Sequence, residues 1–474
     1  MIPFKNLLRL FTGDIVAKIL FFAAFVYLAR ILGVEYYGTL EFSLAVLTYF
    51  LVLGDGGLEL WATRETARGR DPHEMLYRVM PLRLLLASAA FILLLLLLPF
   101  FPDYPQLKPM LVLFGLLLFA QAASLKWVFI GQENMGRVAS GLVIAQVVFA
   151  LAIFFLVRSP EDLLWVPILR LLGDTAMVVY FGWLFVRNYG RFQSHFSLRR
   201  AKQILRQSLI MGASHGLAFM SYNFDSLLLG FMVSSEAVGW YGAAYKPITA
   251  ILAVPVTYFI GLFPTLSRTF QKDKEAFGSI IGQSMRLTAV LALPIGVGGT
   301  FLASGIILFL FGPEYENSII PLQILSWSAV LVILRGTFRQ SLNAANRQDL
   351  DLRCAGTAMA VNVSLNLLLI PRYGIIGAAS TTLLAEMIWI TLASYYFYRH
   401  VAPVTLLPSL KIPLVAAVVM ALFLWLLPPF YWMIQGATAV LVYFSVLLLL
   451  SEPEVKLWVA RLRQLLAHEK QPSA

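Results

Sequence analysis

Ionisable side chains stand inside the apolar runs of this sequence, several at spacings that bring them onto one helical face. Asp14 and Lys18 are four residues apart, as are Arg170 and Asp174, while Arg335 and Arg339 repeat the spacing with like charges. Asp225, Lys246 and Glu386 stand singly in further runs. At hydrocarbon depth each such charge costs at least about 2.5 kcal/mol unless it is paired or hydrated. The two opposite-charge pairs read either as structural ion pairs or as functional sites. Two arginines on one face repel, so without an internal anion partner they point to a hydrated cavity lined for an anion. Arg339 lies near a helix end, where snorkelling toward the cytoplasm is the alternative. Lys246 has no acid one turn away and precedes Pro247, which kinks a helix, so it reads as a ligand contact at a kink. Asp225 and Glu386 read as proton or sodium sites, or as counter-charges of Lys246 and the arginines.

The elements that carry these charges follow from composition. Over 474 residues the chain is 59% hydrophobic and 13% charged, about half the charged share of a soluble protein. Its solvent is a bilayer, where spanning segments must satisfy their own backbone groups as helices or closed barrels. The run FILLLLLLP at 91–99 lacks the alternation of a barrel strand. The expected fold class is therefore an all-α integral membrane protein. Apolar runs predict spans at 11–32, 40–61, 79–100, 109–130, 138–157 and 164–186, then at 208–232, 239–264, 284–311, 319–342, 353–370, 376–398, 410–427 and 431–450, about fourteen crossings. The first run follows Lys5 and Arg9 and is of full length, which predicts a signal anchor rather than a cleaved peptide. Cys354 is the single cysteine, so no intramolecular disulfide or cysteine-based metal cluster can form.

Positive charge sets the expected orientation. One set of loops holds Arg64, Arg68, Arg70, Arg78, Arg187, Arg191, Arg199, Arg200, Lys202, Arg206, Arg268, Lys272, Lys274 and Arg347, the other Arg30, Lys108, Arg158 and Arg372. Both termini are thus expected in the cytoplasm of a cell-membrane, multi-pass protein. The net charge of +11 is largely topology, scattered over many loops, and no nucleic-acid partner is expected. The outer loops are short, at 101–108, 232–238, 312–318 and 371–375, with no room for a folded domain. The expected organisation is an N-terminal lobe at 1–190, a basic cytoplasmic linker at 191–207, a C-terminal lobe at 208–398, two additional helices within 399–451, and a tail at 452–474. In that tail Val455, Trp458, Leu462 and Leu465 share a face, with Lys456, Arg461 and Arg463 off it, predicting an interfacial helix on the anionic inner leaflet. A faint repeat supports two lobes: GVEYYGTLEF at 33–42 and SSEAVGWYGAAY at 234–245 each place a glycine three residues after a glutamate.

Other polar residues read as packing. His215 stands between Gly212 and Gly216, a small-xxx-small spacing, with a proton relay as its alternative role; Asn362 and Asn366 suit hydrogen bonds between helices. Asp349 and Asp351 form a DxD pair flanked by Arg347 and Arg353, with no domain around them to make a sugar-nucleotide site.

Three segments resemble the polysaccharide-export flippases of the O-antigen type, in the superfamily that includes multidrug and toxin extruders and lipid II flippases. The first is LARILGVEYYGTLEFSLAVLTYFLVLGDGGLELWATRETAR at 28–68, with Ala-Arg, Leu-Gly, Tyr-Gly, Asp-x-Gly-Leu and Arg-Glu in order. The others are NFDSLLLGFMVSSEAVGWYGAAYK at 223–246 and NLLLIPRYGIIGAASTTLLAE at 366–386, the latter with Ile-Pro-x-Tyr-Gly-x-x-Gly-Ala-Ala and a following acid. The resemblance implies two pseudo-symmetric lobes around a cationic central cavity and no catalytic residue, metal or cofactor. It implies alternating access for a polyprenyl-diphosphate-linked oligosaccharide among membrane lipids; polysaccharide polymerase machinery and a coupling ion (H⁺ or Na⁺) are further candidate partners, and because family members differ in coupling ion the resemblance assigns none.

On that reading Lys18, Arg30, Arg170, Lys246, Arg335 and Arg339 form the expected anion-facing set, and Asp14, Asp174, Asp225 and Glu386 the coupling or counter-charges. Idealised transfer of each headgroup charge into hydrocarbon costs on the order of 20 kcal/mol, which a hydrated cationic path largely removes. A negative interior would assist by about 2.3 kcal/mol per charge per 100 mV. A drug or cation antiporter of the same fold would need acids facing an apolar cavity, whereas bases outnumber acids within these spans. A membrane polymerase or ligase would need a sizeable outer loop. A lipid II flippase differs in cargo alone.

Overall fold

The computed structural model describes residues 4–190, 198–402, 406–427 and 431–450. The expected tail helix at 452–474, residues 191–197 of the linker, and the side chains of Asp14 and His215 lie outside the described residues. Every regular element among the described residues is helical. The chain divides into two compact units, Met1–Ala243 and Ala244–Ala474.

The first unit begins with α1 (Phe4–Asp55), α2 (Leu58–Ala67) and α3 (Pro72–Leu97). Gly33, at φ 72° and ψ 174°, divides α1 between the two predicted spans; only a residue without a Cβ holds that geometry readily. Asp71 starts α3, accepting from the amides of His73 and Glu74 with Pro72 in the first turn, a strong N-terminal signal. The predicted span at 109–130 is found as the apolar segment Leu107–Gly131, built of three helical pieces, α4 (Leu107–Gly115), α5 (Leu117–Ala123) and α6 (Lys126–Gly131). At Ser124 the backbone turns extended, which frees its carbonyl from the helical ladder. Next come α7 (Met135–Leu156), α8 (Trp165–Tyr189) and α9 (Leu198–Met232), and the first residues of α10 (Ser235–Lys272) close the unit. Trp61, Trp127, Phe129, Phe181 and Phe185 build its buried core.

The second unit holds the rest of α10, then α11 (Lys274–Leu310), α12 (Ile319–Ala344), α13 (Gln348–His400), α14 (Leu407–Leu426) and α15 (Trp432–Leu449). Asp273 caps α11, accepting from the amides of Glu275 and Ala276 at 3.0 Å. A second glycine break, Gly374 at φ 54° and ψ −130°, divides α13. One core cluster joins α11 and α12 to α14 and α15, with the Tyr443 hydroxyl donating to Val290 O at 3.0 Å. Another gathers Phe277, Phe338, Cys354 and Phe397.

Among the described residues ten segments are long and apolar enough to cross a membrane. Two of them, Ile15–Asp55 and Gln348–His400, run 41 and 53 residues, about twice the roughly 20 that a bilayer requires. Each contains one of the glycine breaks. The chain is a multi-pass α-helical membrane protein.

Candidate functional site

At the end of α1 the sequence Asp55-Gly56-Gly57-Leu58 turns the chain sharply into α2. Gly56 and Gly57 both take positive φ, 53° and 76°, which glycine adopts without steric penalty. Gly57 also lets α9 approach: a Cβ there would stand 2.3 Å from Ser208 O and 2.6 Å from the Cα of Gly212. The tight turn leaves Asp55 beside the start of α2, where its carboxylate accepts the amide of Glu59 at 3.3 Å. Glu59 lies one helical turn further on.

Two cations meet these acids. Arg83, from the middle of α3, is 2% exposed and reaches Asp55 Oδ1 at 3.3 Å and Glu59 Oε2 at 3.4 Å with the same nitrogen. Its other terminal nitrogen donates to Ser124 O at 2.9 Å, the carbonyl released where α5 ends. Its Nε has no hydrogen-bond partner among the described residues. Lys126, the first residue of α6, places Nζ 2.8 Å from Glu59 Oε1. Glu59 therefore bridges an arginine and a lysine, one oxygen to each.

These four side chains line a cavity of about 710 Å³ within the first unit, whose wall also carries Thr48, Thr63, Gln121 and Asn223. The volume lies in the range of small-molecule sites. Apolar residues such as Leu51, Val52 and Leu118 complete the wall, so the charges act in a medium where they interact far more strongly than in water. Sequence reasoning passes over this quartet, although all four residues fall inside predicted spans. The signal is the one that marks the other membrane charges, and Asp55 with Glu59 repeats their four-residue spacing.

The residues expected from sequence are distributed over both units. Arg170 meets Asp174 at 3.4 Å and Gln146 Oε1 at 3.3 Å, with its guanidinium 5.4 Å from the Phe149 ring centre. Lys18 and Arg30 are exposed along α1. Asp225 is buried and accepts from the Tyr241 hydroxyl at 2.8 Å. In the second unit Lys246 is half-buried. Arg335 grips Glu386 with two nitrogens, at 2.5 and 3.2 Å, and lies 3.6 Å from the Trp389 ring centre. Arg339 pairs with Asp351 at 3.2 Å, and Arg347 with Asp349 at 3.3 Å. The two like-charged arginines of α12 thus each face an acid on α13. Asn366 donates to Asn362 Oδ1 at 3.0 Å and accepts from Thr381 across the Gly374 break. Among the described residues no group of three or more His, Cys, Asp or Glu is placed to hold a metal ion.

Comparison with known proteins fixes the lineage. The sequence profile described as "Polysaccharide biosynthesis protein" matches residues 4–270, more than half of the chain. The chain belongs to that family. One relative, "Probable low-salt glycan biosynthesis flippase Agl15" of Haloferax volcanii, is 23% identical over 400 residues, 84% of each chain. "Probable flippase AglR" of the same organism is 34% identical over 171 residues, 35% of this chain, and the match spans 36% of that relative's length. Among solved structures, the lipid II flippase MurJ in an inward closed conformation superposes with a TM-score of 0.76, covering 92% of this chain and 97% of the other at 15% identity. This family member therefore has the fold of a known membrane transporter. Both relatives are named as flippases and neither as an enzyme, in keeping with a sequence that offers no catalytic constellation.

Proposed function

We propose that the protein flips a polyprenyl-diphosphate-linked oligosaccharide from the cytoplasmic to the outer leaflet of the cell membrane by alternating access. The observation that carries this reading is the cavity of the first unit, where a family member built of apolar helices keeps Arg83 and Lys126 at its wall, paired with Asp55 and Glu59 and beside neutral hydrogen-bonding groups. A diphosphate-sugar headgroup needs both: cations for the phosphates, and amides and hydroxyls for the sugars. The flippase names of the relatives and the MurJ-like fold support the same reading.

Lys18, Arg30 and Lys246 are the cations proposed to meet the headgroup along its path. Arg170, Arg335 and Arg339 join them on this reading, each carrying an acid that an anionic cargo would compete with. Counting the two glycine-broken segments as two crossings each, and α9 and α10 as one each, brings the ten apolar segments to fourteen crossings, an even number that agrees with both termini on one side, proposed to be the cytoplasm. The membrane potential favours outward passage of the diphosphate by about 2.3 kcal/mol per charge per 100 mV, and a proton or sodium ion is the proposed coupling partner where more drive is needed.

Deletion in the native host tests the reading. The expected result is sugar-loaded polyprenyl diphosphate accumulating on the inner face of the membrane. Unchanged levels of that lipid would sink the proposal, and accumulation of lipid II in its place would move the cargo to peptidoglycan precursor.

A further inference from the structure

Glu59 serves two cations from different elements, Arg83 on α3 and Lys126 on α6. One oxygen lies 2.8 Å from Lys126 Nζ and the other 3.4 Å from a terminal nitrogen of Arg83. A phosphate between an arginine and a lysine bridges them in the same manner, with at least one more oxygen to offer. We propose that the Glu59 carboxylate occupies the seat of a phosphate group, and that a phosphate or diphosphate anion binds in this cavity by displacing it.

Three features make the exchange feasible. Arg83 does not depend on Glu59 alone for its position, because Ser124 O accepts from its other terminal nitrogen at 2.9 Å and Asp55 lies 3.3 Å from the nitrogen that Glu59 also meets. The seat stays formed when Glu59 leaves. Arg83 also has hydrogen-bonding capacity in reserve: its Nε makes no hydrogen bond among the described residues although the side chain is 2% exposed, a costly state for a buried donor. Finally, the charges require displacement rather than addition. Asp55 and Glu59 balance Arg83 and Lys126, so an anion entering beside an ionised, seated Glu59 meets no net attraction. With Glu59 swung away, Lys126 and the Arg83 terminal nitrogen that still meets Asp55 are left with one acid fewer at the cavity wall. The Glu59 side chain retains 26% exposure, which leaves it room to move.

The ligand chemistry is a phosphate or diphosphate, from a lipid headgroup or from free anion. Assigning it to the lipid-linked cargo rests on the flippase reading; the seat itself does not. Inorganic pyrophosphate is the probe, titrated calorimetrically into the full chain in nanodiscs. Glu59→Gln removes the competing charge and is expected to bind pyrophosphate about tenfold more tightly than wild type, a typical size for one coupled interaction. Lys126→Gln is expected to bind about tenfold more weakly, and Arg83→Lys, which keeps the charge but loses the fork, to be weakened as well. Thermal melting of each variant checks that it folds. Tightening at Glu59→Gln with weakening at Lys126→Gln supports the seat, and displacement of pyrophosphate by polyprenyl diphosphate in mixed micelles, but not by free phosphate, names the lipid as source. Displacement by free phosphate alone supports the seat for a soluble anion. Equal or weaker binding by a folded Glu59→Gln protein overturns the proposal, as does absence of binding by both it and wild type. A deletion strain that accumulates sugar-loaded carrier while the protein ignores pyrophosphate overturns the seat and keeps the flippase; the opposite pattern keeps the seat and removes the flippase.

Discussion

Gly38 on α1 and Gly239 on α10 cross with their backbones in contact. A Cβ built on Gly239 would stand 2.4 Å from Val34 O and 3.2 Å from the amide nitrogen of Gly38, and one built on Gly38 would stand 1.8 Å from Ser235 O. These are the paired glycines of the two repeats, each three residues after a glutamate, so the repeat segments meet at the residue that makes them alike. Close backbone approach through small residues is a common device for packing helices in a membrane. Gly38→Ala and Gly239→Ala should each cost about 1 to 3 kcal/mol, the usual penalty of overpacking, read as a lower melting temperature in detergent. Gly182→Ala and Gly356→Ala, where a Cβ meets nothing within 4 Å, should lose nothing. Equal melting across the four variants would contradict the close contact.

The glycine breaks make a second, separate prediction. Gly33 at φ 72°, ψ 174° and Gly374 at φ 54°, ψ −130° occupy backbone regions that residues with a Cβ enter at a cost of about 1 to 3 kcal/mol. Gly33→Ala and Gly374→Ala should lower the melting temperature, although a Cβ on Gly374 would meet nothing within 4 Å. The penalty there is conformational, not steric. A Gly374→Ala protein as stable as wild type would show that the two helical segments of α13 tolerate another junction.

The pair formed by Arg335 and Glu386 allows structure and transport to be separated. Arg335 is 3% exposed, bound by two nitrogens to Glu386 and stacked on Trp389. Removing one partner of a buried pair costs about 3 to 5 kcal/mol, whereas replacing both with apolar groups is often neutral. Arg335→Met and Glu386→Leu should each destabilise, and the double variant should recover most of the loss. Cargo accumulation is then measured in cells that carry the stable double variant. Accumulation would keep Arg335 in the proposed anion-facing set; normal export would withdraw it.

Sequence reasoning reads the helices well, because length and hydropathy are local properties. It places the breaks at 33 and 374 between predicted spans for the same reason. It reads charge pairs well where both members share a helix, as Arg170 and Asp174 do. It does not single out partners that lie 24 to 51 residues apart: it passes over Arg83 with Glu59 and leaves Glu386 between an ion site and a counter-charge of Lys246 and the arginines, because helix periodicity says nothing about which helices adjoin. Arg335 and Arg339 suggest an unneutralised pair on their own helix, and their acids come from the next one. The cavity quartet is hidden by a further effect. The break at Ser124 interrupts an apolar run that hydropathy reads as continuous, and this break supplies the carbonyl that holds Arg83 and the position of Lys126.

Orientation is testable through the single cysteine. Cys354 is 0% exposed in the core of the second unit, so a membrane-impermeant maleimide should leave the wild-type protein unlabelled in intact cells. That silence makes a ready background. Asp103, with a side chain 88% exposed and bound to Lys108, lies in a short loop proposed to face outward. Arg70, 59% exposed, lies in a basic loop proposed to face the cytoplasm, as the excess of positive charge on that side requires. Asp103→Cys should therefore label in intact cells and Arg70→Cys only after permeabilisation. The reverse pattern would invert the topology and, with it, the direction in which the membrane potential drives a diphosphate. Labelling of wild type before permeabilisation would show instead that the Phe338 and Phe397 core around Cys354 opens on the timescale of the reaction.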